Sequence, residues 1–365
     1  MGVVLAPSPP VGLLRLQLGV ARLGHLDSVM VPDHLQSLVP EAVWAESTWL
    51  KGTRTHALFD YASTLGWLAA RSGRLRVGVQ VTDPLRRHPV VVAQTMLTLA
   101  HLTRRAPILG IGSGERENLE PYGLPLDHPT ARLEEALRIL RACFTGTLAD
   151  FDGEYYTLRD AVMDLQAPVG RTPEIWVGAH GPRMLELTGR FGDGWIPTLV
   201  SSPEDYAQKL ERVRAAARQA GRSPEAVTAG LGGFLLLARD AADVSRVLRT
   251  PLARFFALLT PAAVWREVGA EHPLGPRFRG FVDVLPETLE RDALRSALAS
   301  VPAEVVAIGV MVGTPDQVVA RVRALAEAGL QHFSPMVLSG ALSRGNALHD
   351  IRAIPSIARR LQSGR

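Results

Sequence analysis

Short apolar segments alternate with longer amphipathic segments along most of the chain. The apolar segments have the length and composition of buried strands: residues 3–6, 28–31, 74–81, 108–111, 174–178, 194–198, 227–238 and 332–338. Helical periodicity follows in residues 11–23, 60–71, 89–102, 131–144, 315–328 and 346–361, and in segments that begin near residues 182 and 203. Eight strands alternating with eight helices predict an α/β fold, a (β/α)8 or TIM barrel.

Two segments interrupt this alternation. Residues 36–57 carry tryptophan, proline and glycine without clean periodicity, and residues 251–303 combine many prolines and glycines with short helical pieces. We interpret both as insertions in a single barrel domain spanning residues 1–365. The alternative is an open doubly wound sheet, which favours a Gly-x-Gly-x-x-Gly turn early in the chain. Gly110, Gly112 and Gly114 are spaced differently and come late.

Composition narrows the class of protein. The chain has 365 residues, is 47% hydrophobic and carries a net charge of +4 with no block of like charge, which argues against nucleic-acid binding. The single cysteine, Cys143, excludes an intramolecular disulfide and a thiol-rich metal site, and we expect it in the core of a cytoplasmic protein. The N-terminus has no charged signal-peptide region, and no apolar run approaches a membrane span.

Polar residues concentrate where the predicted strands end, which is where barrel enzymes build their active sites. Asp33 and His34 follow the second strand, and a histidine there can transfer a proton near neutral pH. The fourth strand ends in glycines and opens into an acid, a base, a second acid and an amide at residues 115–118. The fifth ends in small residues before a helix that begins at Pro182, which is a natural site for an anion, and Arg183 adds charge.

These motifs resemble the luciferase-like superfamily. The resemblance is carried by Val-Pro-Asp-His at 31–34, Val-Thr-Asp-Pro at 81–84, Gly-Ser-Gly-Glu-Arg-Glu-Asn at 112–118, Phe-Asp-Gly-Glu-Tyr-Tyr at 151–156 and Ala-His-Gly-Pro at 179–182. They look like the branch that uses the deazaflavin coenzyme F420, and most like the phthiodiolone dimycocerosate ketoreductases. The F420-dependent glucose-6-phosphate dehydrogenases share the Asp-His and Gly-Glu-x-x-Asn elements.

The resemblance implies a role for each site residue. His34 is the expected proton donor or acceptor and Glu115 a second acid or base. Contacts to the deazaflavin ring and its ribityl chain are expected from Asp33, Asp83, Ser113, Gly114 and Asn118. The segment 179–184 is expected to hold the coenzyme's phosphate, through Ala179, His180, Gly181, Arg183 and Met184. A bulge with a non-proline cis peptide between Gln80 and Val81 is expected to support the ring from behind.

The expected substrate is a hydrophobic small molecule. Thr198, at the end of the sixth strand, is the expected substrate contact, and no lysine follows it in residues 199–202, which argues against a sugar phosphate. We therefore expect hydride transfer between F420 and a carbonyl or conjugated carbon, with no metal, in a homodimer. An FMN-dependent monooxygenase of the same superfamily is the alternative. A barrel that only binds its ligand is the third hypothesis, against which His34 and Glu115 argue.

Overall fold

The computed structural model describes residues 1–363. Its strands are β1 (Val3–Val4), β2 (Ser28–Val31), β3 (Arg76–Thr82), β4 (Ile108–Ile111), β5 (Phe151–Asp152), β6 (Thr157–Leu158), β7 (Glu174–Val177), β8 (Gly194–Trp195), β9 (Thr228–Leu231), β10 (Phe234–Leu237), β11 (Met311–Gly313), β12 (His332–Phe333) and β13 (Met336–Val337). The helices before the second insertion are α1 (Val11–Leu23), α2 (Glu41–Ser47), α3 (Tyr61–Ala69), α4 (Pro89–Leu102), α5 (Pro129–Thr145), α6 (Pro182–Phe191), α7 (Pro203–Gln219) and α8 (Ala241–Leu248). Those that follow are α9 (Pro251–Leu258), α10 (Ala262–Glu267), α11 (Arg291–Ala299), α12 (Ala303–Gly309), α13 (Pro315–Glu327) and α14 (Arg344–Gln362).

The main sheet confirms the predicted barrel. Strands β1, β2, β3, β4, β7, β8 and β9 are neighbours in that order, and every pair is parallel. The sheet closes because β12 pairs with β9 while β13 pairs with β1. All these strands therefore end at one rim, and the polar residues that follow them in sequence meet there.

The seventh strand is not continuous over residues 227–238, contrary to the sequence prediction. It is split into β9 and β10 at Gly232 and Gly233. Gly233 has φ +101°, and a Cβ atom there would lie 2.7 Å from the Thr198 carbonyl oxygen. Only glycine fits that close approach with a left-handed backbone. The eighth strand is divided in the same way, and β10 also pairs with β11, a strand that the sequence pattern did not predict.

Three apolar clusters form the core, and the smallest consists of Val4, Met30, Ile108, Trp176 and Ile196. The first packs the barrel strands against the outer helices and contains Cys143, which is fully buried as expected. The second is built by helices α9 to α12, with Val43 of α2 joining from the first insertion. The first insertion thus contains a helix, where the sequence suggested only a loop, and the two insertions pack against each other beside the rim.

Local signals set several element boundaries. Ser202 caps α7 by accepting a hydrogen bond from the backbone N–H of Asp205. The chain has a cis peptide between Gln80 and Val81, and the pairing of β3 with β4 shifts register there, which confirms the bulge that the resemblance implied. Among the described residues, no helix is both long enough and apolar enough to cross a membrane.

Candidate active site

A cleft of about 420 Å³ opens at the rim where the strands end. Most of the residues predicted for the site line it: Asp33, His34, Gln80, Val81, Asp83, Ser113, Gly114, Glu115, Asn118, His180, Gly181, Met184 and Thr198. Ala179 and Arg183 do not. The carbonyl of Ala179 accepts a hydrogen bond from the indole of Trp195 behind the cleft wall. Residues that are far apart in sequence are thus brought together by the barrel.

Glycines let the floor of the cleft form around Val81. A Cβ atom on Gly110 would lie 2.3 Å from the Val79 carbonyl oxygen, so no larger residue fits there. Cβ atoms on Gly112 and Gly178 would lie 3.4 and 3.6 Å from the two Val81 methyl groups. The side chain of Val81 therefore rises between two flat backbone segments, and it gives the floor an apolar surface.

A buried ion network ties the ends of β2 and β3 together. The Asp33 carboxylate accepts hydrogen bonds from the Thr82 hydroxyl at 2.7 Å and from Arg87 at 2.6 Å, and it pairs with Arg86 at 3.0 Å. Asp83 accepts from Nε of Arg86 at 2.6 Å and from that residue's backbone N–H. Burial alone would lower the pKa of Arg86, but Asp83 and Asp33 raise it. Both carboxylates therefore stabilise the structure of the rim.

Asn118 fixes the orientation and tautomer of His34. The backbone N–H of Leu35 donates to Oδ1 of Asn118 at 2.8 Å, so the amide nitrogen must face the other way. That nitrogen lies 2.8 Å from Nδ1 of His34. Because an amide NH2 only donates, Nδ1 accepts and the ring proton lies on Nε2. Nε2 lies 4.0 Å from Oε2 of Glu115.

Two carboxyl groups lie against this histidine. Glu115 lines the cleft and has 31% of its side chain accessible. Removal from bulk water raises the pKa of Glu115 well above its ordinary value, and the neighbouring Glu117 carboxylate raises it further. Glu117 is completely buried, and burial raises its pKa to about 7. Both carboxyl groups are therefore harder to ionise here than in water.

The start of α6 forms the other end of the cleft. His180, Gly181 and Met184 line it there, and a Cβ atom on Gly181 would meet nothing within 4 Å. The first N–H groups of a helix have no carbonyl partner within the helix, and they attract anions. Lys209 of α7 lines the same region and pairs with Asp205 at 2.8 Å.

Arg183 lies outside the part of the cleft at the start of α6. Its side chain is 59% exposed and its guanidinium reaches Glu134 of α5 at 3.4 Å. The sequence placed Arg183 correctly in the first turn of α6, but the side chain at that position points along the outer face of the helix. Lys209, which the sequence analysis did not single out, lines the cleft near the start of α6, and Arg86 and Arg279 line other parts of it.

The remaining wall of the cleft is largely apolar. Phe234 stacks on Phe256 with ring centroids 3.9 Å apart, and Phe281 packs beside it at 6.1 Å. Other apolar side chains complete this wall: Leu38, Leu199, Val264, Ile308 and Met336. Several come from the two insertions, so the insertions shape the part of the cleft farthest from the strand ends.

Several site residues had no recognisable signal in the sequence. Arg86 and Glu117 were visible as charged residues next to predicted site positions, but a charged residue after a strand is usually solvated. Only the fold shows that both are buried. Phe281 and Arg279, which also line the cleft, lie in an insertion whose local pattern gave no indication of where it packs.

Comparison with known protein families places this site in context. The sequence profile of the family described as luciferase-like monooxygenase matches residues 24–332. The chain belongs to this family. The resemblance recognised in the strand-end motifs is thereby confirmed.

Relatives within the family are oxidoreductases. The phthiodiolone/phenolphthiodiolone dimycocerosates ketoreductase of Mycobacterium tuberculosis is 39% identical over 354 residues, which cover 95% of this chain and 92% of the relative. This chain is accordingly an oxidoreductase. The coenzyme F420 dependent tetrahydromethanopterin reductase of Methanopyrus kandleri has a similar structure, with a TM-score of 0.76 and 18% identity over 100% of this chain and 98% of that one. An F420-dependent secondary alcohol dehydrogenase, in complex with an F420-acetone adduct, gives a TM-score of 0.73 and 18% identity, covering 98% of each chain.

Proposed function

We propose that this protein is an F420-dependent reductase that transfers a hydride to a carbonyl or conjugated carbon of a hydrophobic small molecule, with His34 as the proton donor. The observation that carries this proposal is the orientation of His34. Nδ1 of His34 accepts a hydrogen bond from Asn118, so the Nε2–H group faces the cleft. The chain that carries this histidine is 39% identical to a ketoreductase.

The cleft fits a deazaflavin coenzyme. A flat ring needs a flat apolar support, and Val81 between Gly112 and Gly178 supplies one. A phosphate needs donors and positive charge, and the start of α6 with Lys209 supplies both. Reduced F420, when bound, supplies the hydride; the protein supplies orientation and a proton.

His34 has the geometry of a general acid. Hydride transfer to a carbonyl leaves negative charge on oxygen, and water has limited access to a cleft of this depth. A positioned acid at that oxygen typically contributes about 10²–10⁴-fold to the rate. Glu115 faces the same space and serves as a second acid or base.

The apolar wall supports a hydrophobic substrate. Phe234, Phe281 and Val264 offer no charged partner to a polar ligand. Thr198 also lines the cleft, and its backbone N–H donates to Nε2 of His180 at 3.3 Å. The neighbouring Arg279 is engaged by Asp283 at 2.6 Å. A small ketone or enone with an apolar chain matches this surface.

An FMN-dependent monooxygenase is the second candidate, because the family as a whole is described by that activity. Titration of the purified protein with each cofactor, followed by tryptophan fluorescence, separates the two. We expect tighter binding of F420 than of FMN, and tighter binding of FMN would overturn the assignment. The homodimer and the cytoplasmic location stay predictions.

The proton-donor role is tested by His34→Ala. We expect F420 affinity to stay within about threefold, while single-turnover oxidation of reduced F420 by a ketone slows on the order of a hundredfold. Glu115→Gln should slow the same reaction less than His34→Ala does. His101→Ala is a matched control, because His101 is exposed and its ring, within residues 1–363, bonds only to the Gln166 carbonyl.

A wild-type rate in His34→Ala together with an inactive Glu115→Gln would reverse the two roles. Loss of F420 binding in His34→Ala would instead show that the histidine holds the cofactor.

A further inference from the structure

Glu117 is a buried acid next to the site, and the function proposed above does not use it. It lies in a short 3-10 turn, Arg116–Asn118, and its side chain has no accessible surface. Its Oε1 accepts a hydrogen bond from the Asn118 amide at 2.9 Å. No donor among residues 1–363 reaches its Oε2. A charged carboxylate buried with one oxygen lacking donors is costlier than a neutral carboxyl group, whose proton can lie on Oε1, the oxygen that faces Nδ1 of His34.

The surroundings of Glu117 do not supply a compensating charge. One polar atom each of Glu117, Glu115 and His34 lies within 4.8 Å of the others. Arg86 is the nearby cation, but Asp33 and Asp83 already engage its guanidinium. Because Glu117 is fully buried and its carboxyl group lies within 4.8 Å of that of Glu115, the two groups do not both ionise, and the pair retains a proton near neutral pH.

A neutral histidine that donates its Nε2 proton must gain another proton at Nδ1. When Nε2 gives up its proton, the ring becomes an unfavourable anion unless Nδ1 receives one at the same time. Oε1 of Glu117 lies 3.4 Å from Nδ1 of His34. Glu115 faces the opposite nitrogen and cannot fill that role.

We propose that Glu117 holds a proton in the resting enzyme and passes it to Nδ1 of His34 as Nε2 protonates the substrate oxygen. This proposal rests on the proposed function of His34. The O–H bond of Glu117 breaks and an N–H bond forms at Nδ1, while the Nε2–H bond breaks and the O–H bond of the product forms. Glu117 is left as a carboxylate and the ring stays neutral.

Asn118 supports both ends of this transfer. Its amide nitrogen faces Nδ1 of His34 and Oε1 of Glu117 together. The incoming proton replaces its hydrogen bond at Nδ1, and its hydrogen bond to Glu117 strengthens as that group becomes charged. Glu117 acts through His34 and touches no substrate, so it is a positioning residue.

The three side chains also resemble a cation site, and the hydrogen bonds argue against that interpretation. The Asn118 amide already donates to the single lone pair of Nδ1 and to one lone pair of Oε1. A cation there would have to displace the amide. We therefore include divalent metal in the test as an outcome that overturns the proposal.

Glu117→Gln removes the acidic proton and keeps the shape of the side chain. The wild-type single-turnover rate should fall as pH rises past about 7, the pKa of Glu117. Glu117→Gln should be slower by about 10²-fold and should lose this pH limb, with F420 affinity unchanged. Glu117→Asp should restore the limb in part. The titrating groups that face Glu117 are Glu115 and His34, and Arg86 and Asp83 are the other charges near it.

Two measurements do not depend on turnover of the variant. Infrared spectra of the cofactor-free protein should show the carbonyl stretch of a protonated carboxyl group, lost in Glu117→Gln and titrating near pH 7. A proton inventory on the wild-type enzyme should show two protons in flight. The infrared measurement separates failure of this proposal from failure of the proposed function, because it reports on Glu117 even if F420 is not the cofactor.

An unchanged rate and pH limb in Glu117→Gln would overturn the proposal, as would an inventory with a single proton. A pH limb that disappears in Glu115→Gln but persists in Glu117→Gln would assign the stored proton to Glu115. Retention of Mg²⁺ or Zn²⁺ by the purified protein, with activity lost on chelation, would replace the proton store by a metal site.

Discussion

At the scale of single residues, the site depends on side chains whose neighbours are distant in sequence. Asn118 and His34 are 84 positions apart, yet one amide decides which ring nitrogen carries the proton. Asp33 and Asp83, which are expected to contact the cofactor, line the cleft, and their carboxylates also pair with Arg86 and Arg87. At this scale the chemistry of the site depends on which nitrogen and oxygen lone pairs have no hydrogen-bond donor within the protein.

The anion end of the cleft gives a residue-scale prediction. Lys209→Ala should weaken F420 binding by about 1.5–3 kcal/mol, because Lys209 is the cation facing the start of α6. Arg183→Ala, which removes a largely exposed side chain paired with Glu134, should change the dissociation constant little. Fluorescence titration of both variants checks this. If Arg183→Ala weakens binding and Lys209→Ala does not, the expectation from the sequence stands.

At the scale of elements, most boundaries follow from local chemistry and the exceptions follow from packing. Ser202 and Pro203 start α7 as their residue types predict. The break between β9 and β10 occurs where Gly233 passes the Thr198 carbonyl, and a pattern of apolar residues does not reveal that approach. Helix α14 shows the same dependence on packing, because it places Asp350 in a buried site beside Ser339.

Asp350 makes the stability of the protein depend on pH. Burial raises its pKa from 3.8 to about 7, so the folded protein keeps a proton that the unfolded chain loses between those values. Its contribution to stability therefore falls as pH rises through that window. The free energy of unfolding of Asp350→Asn, relative to wild type, should increase by up to about 1.4 kcal/mol per pH unit between about pH 4 and 7.

Denaturant titrations at several pH values measure this difference. Asp292→Asn on α11 is the control, since it makes the same change at a side chain that is 87% exposed. A constant difference between Asp350→Asn and wild type across the window would show that Asp350 is ionised in the folded protein.

At the scale of the whole molecule, the barrel and the insertions contribute different parts of the cleft. The strand ends hold the polar groups, while the second apolar cluster supplies Leu38, Phe234 and Phe281 to the far wall of the cleft. Parallel strands place their ends at one rim in any barrel of this kind. The insertions decide how much apolar surface a substrate meets there.

This arrangement predicts a dependence on chain length. In a series of linear methyl ketones, kcat/KM should rise about fourfold for each added methylene until the apolar wall is covered, since burying one CH₂ contributes about 0.8 kcal/mol. The parallel series of chain-terminal carboxylates should gain much less. Steady-state rates with reduced F420 check both series, and a flat response to chain length would show that the substrate does not lie on this wall.

Local sequence determined the alternation of strands and helices, most caps, and the positions where chemistry is concentrated, because periodicity and turn preferences act over a few residues. It also carried the family resemblance, including the cis peptide between Gln80 and Val81. Only the tertiary structure decided that Glu117 and Arg86 are buried, that Arg183 faces outward and Lys209 inward, and that Asn118 sets the tautomer of His34. Burial and hydrogen-bond partners depend on contacts between distant segments, and barrel closure brings those segments together.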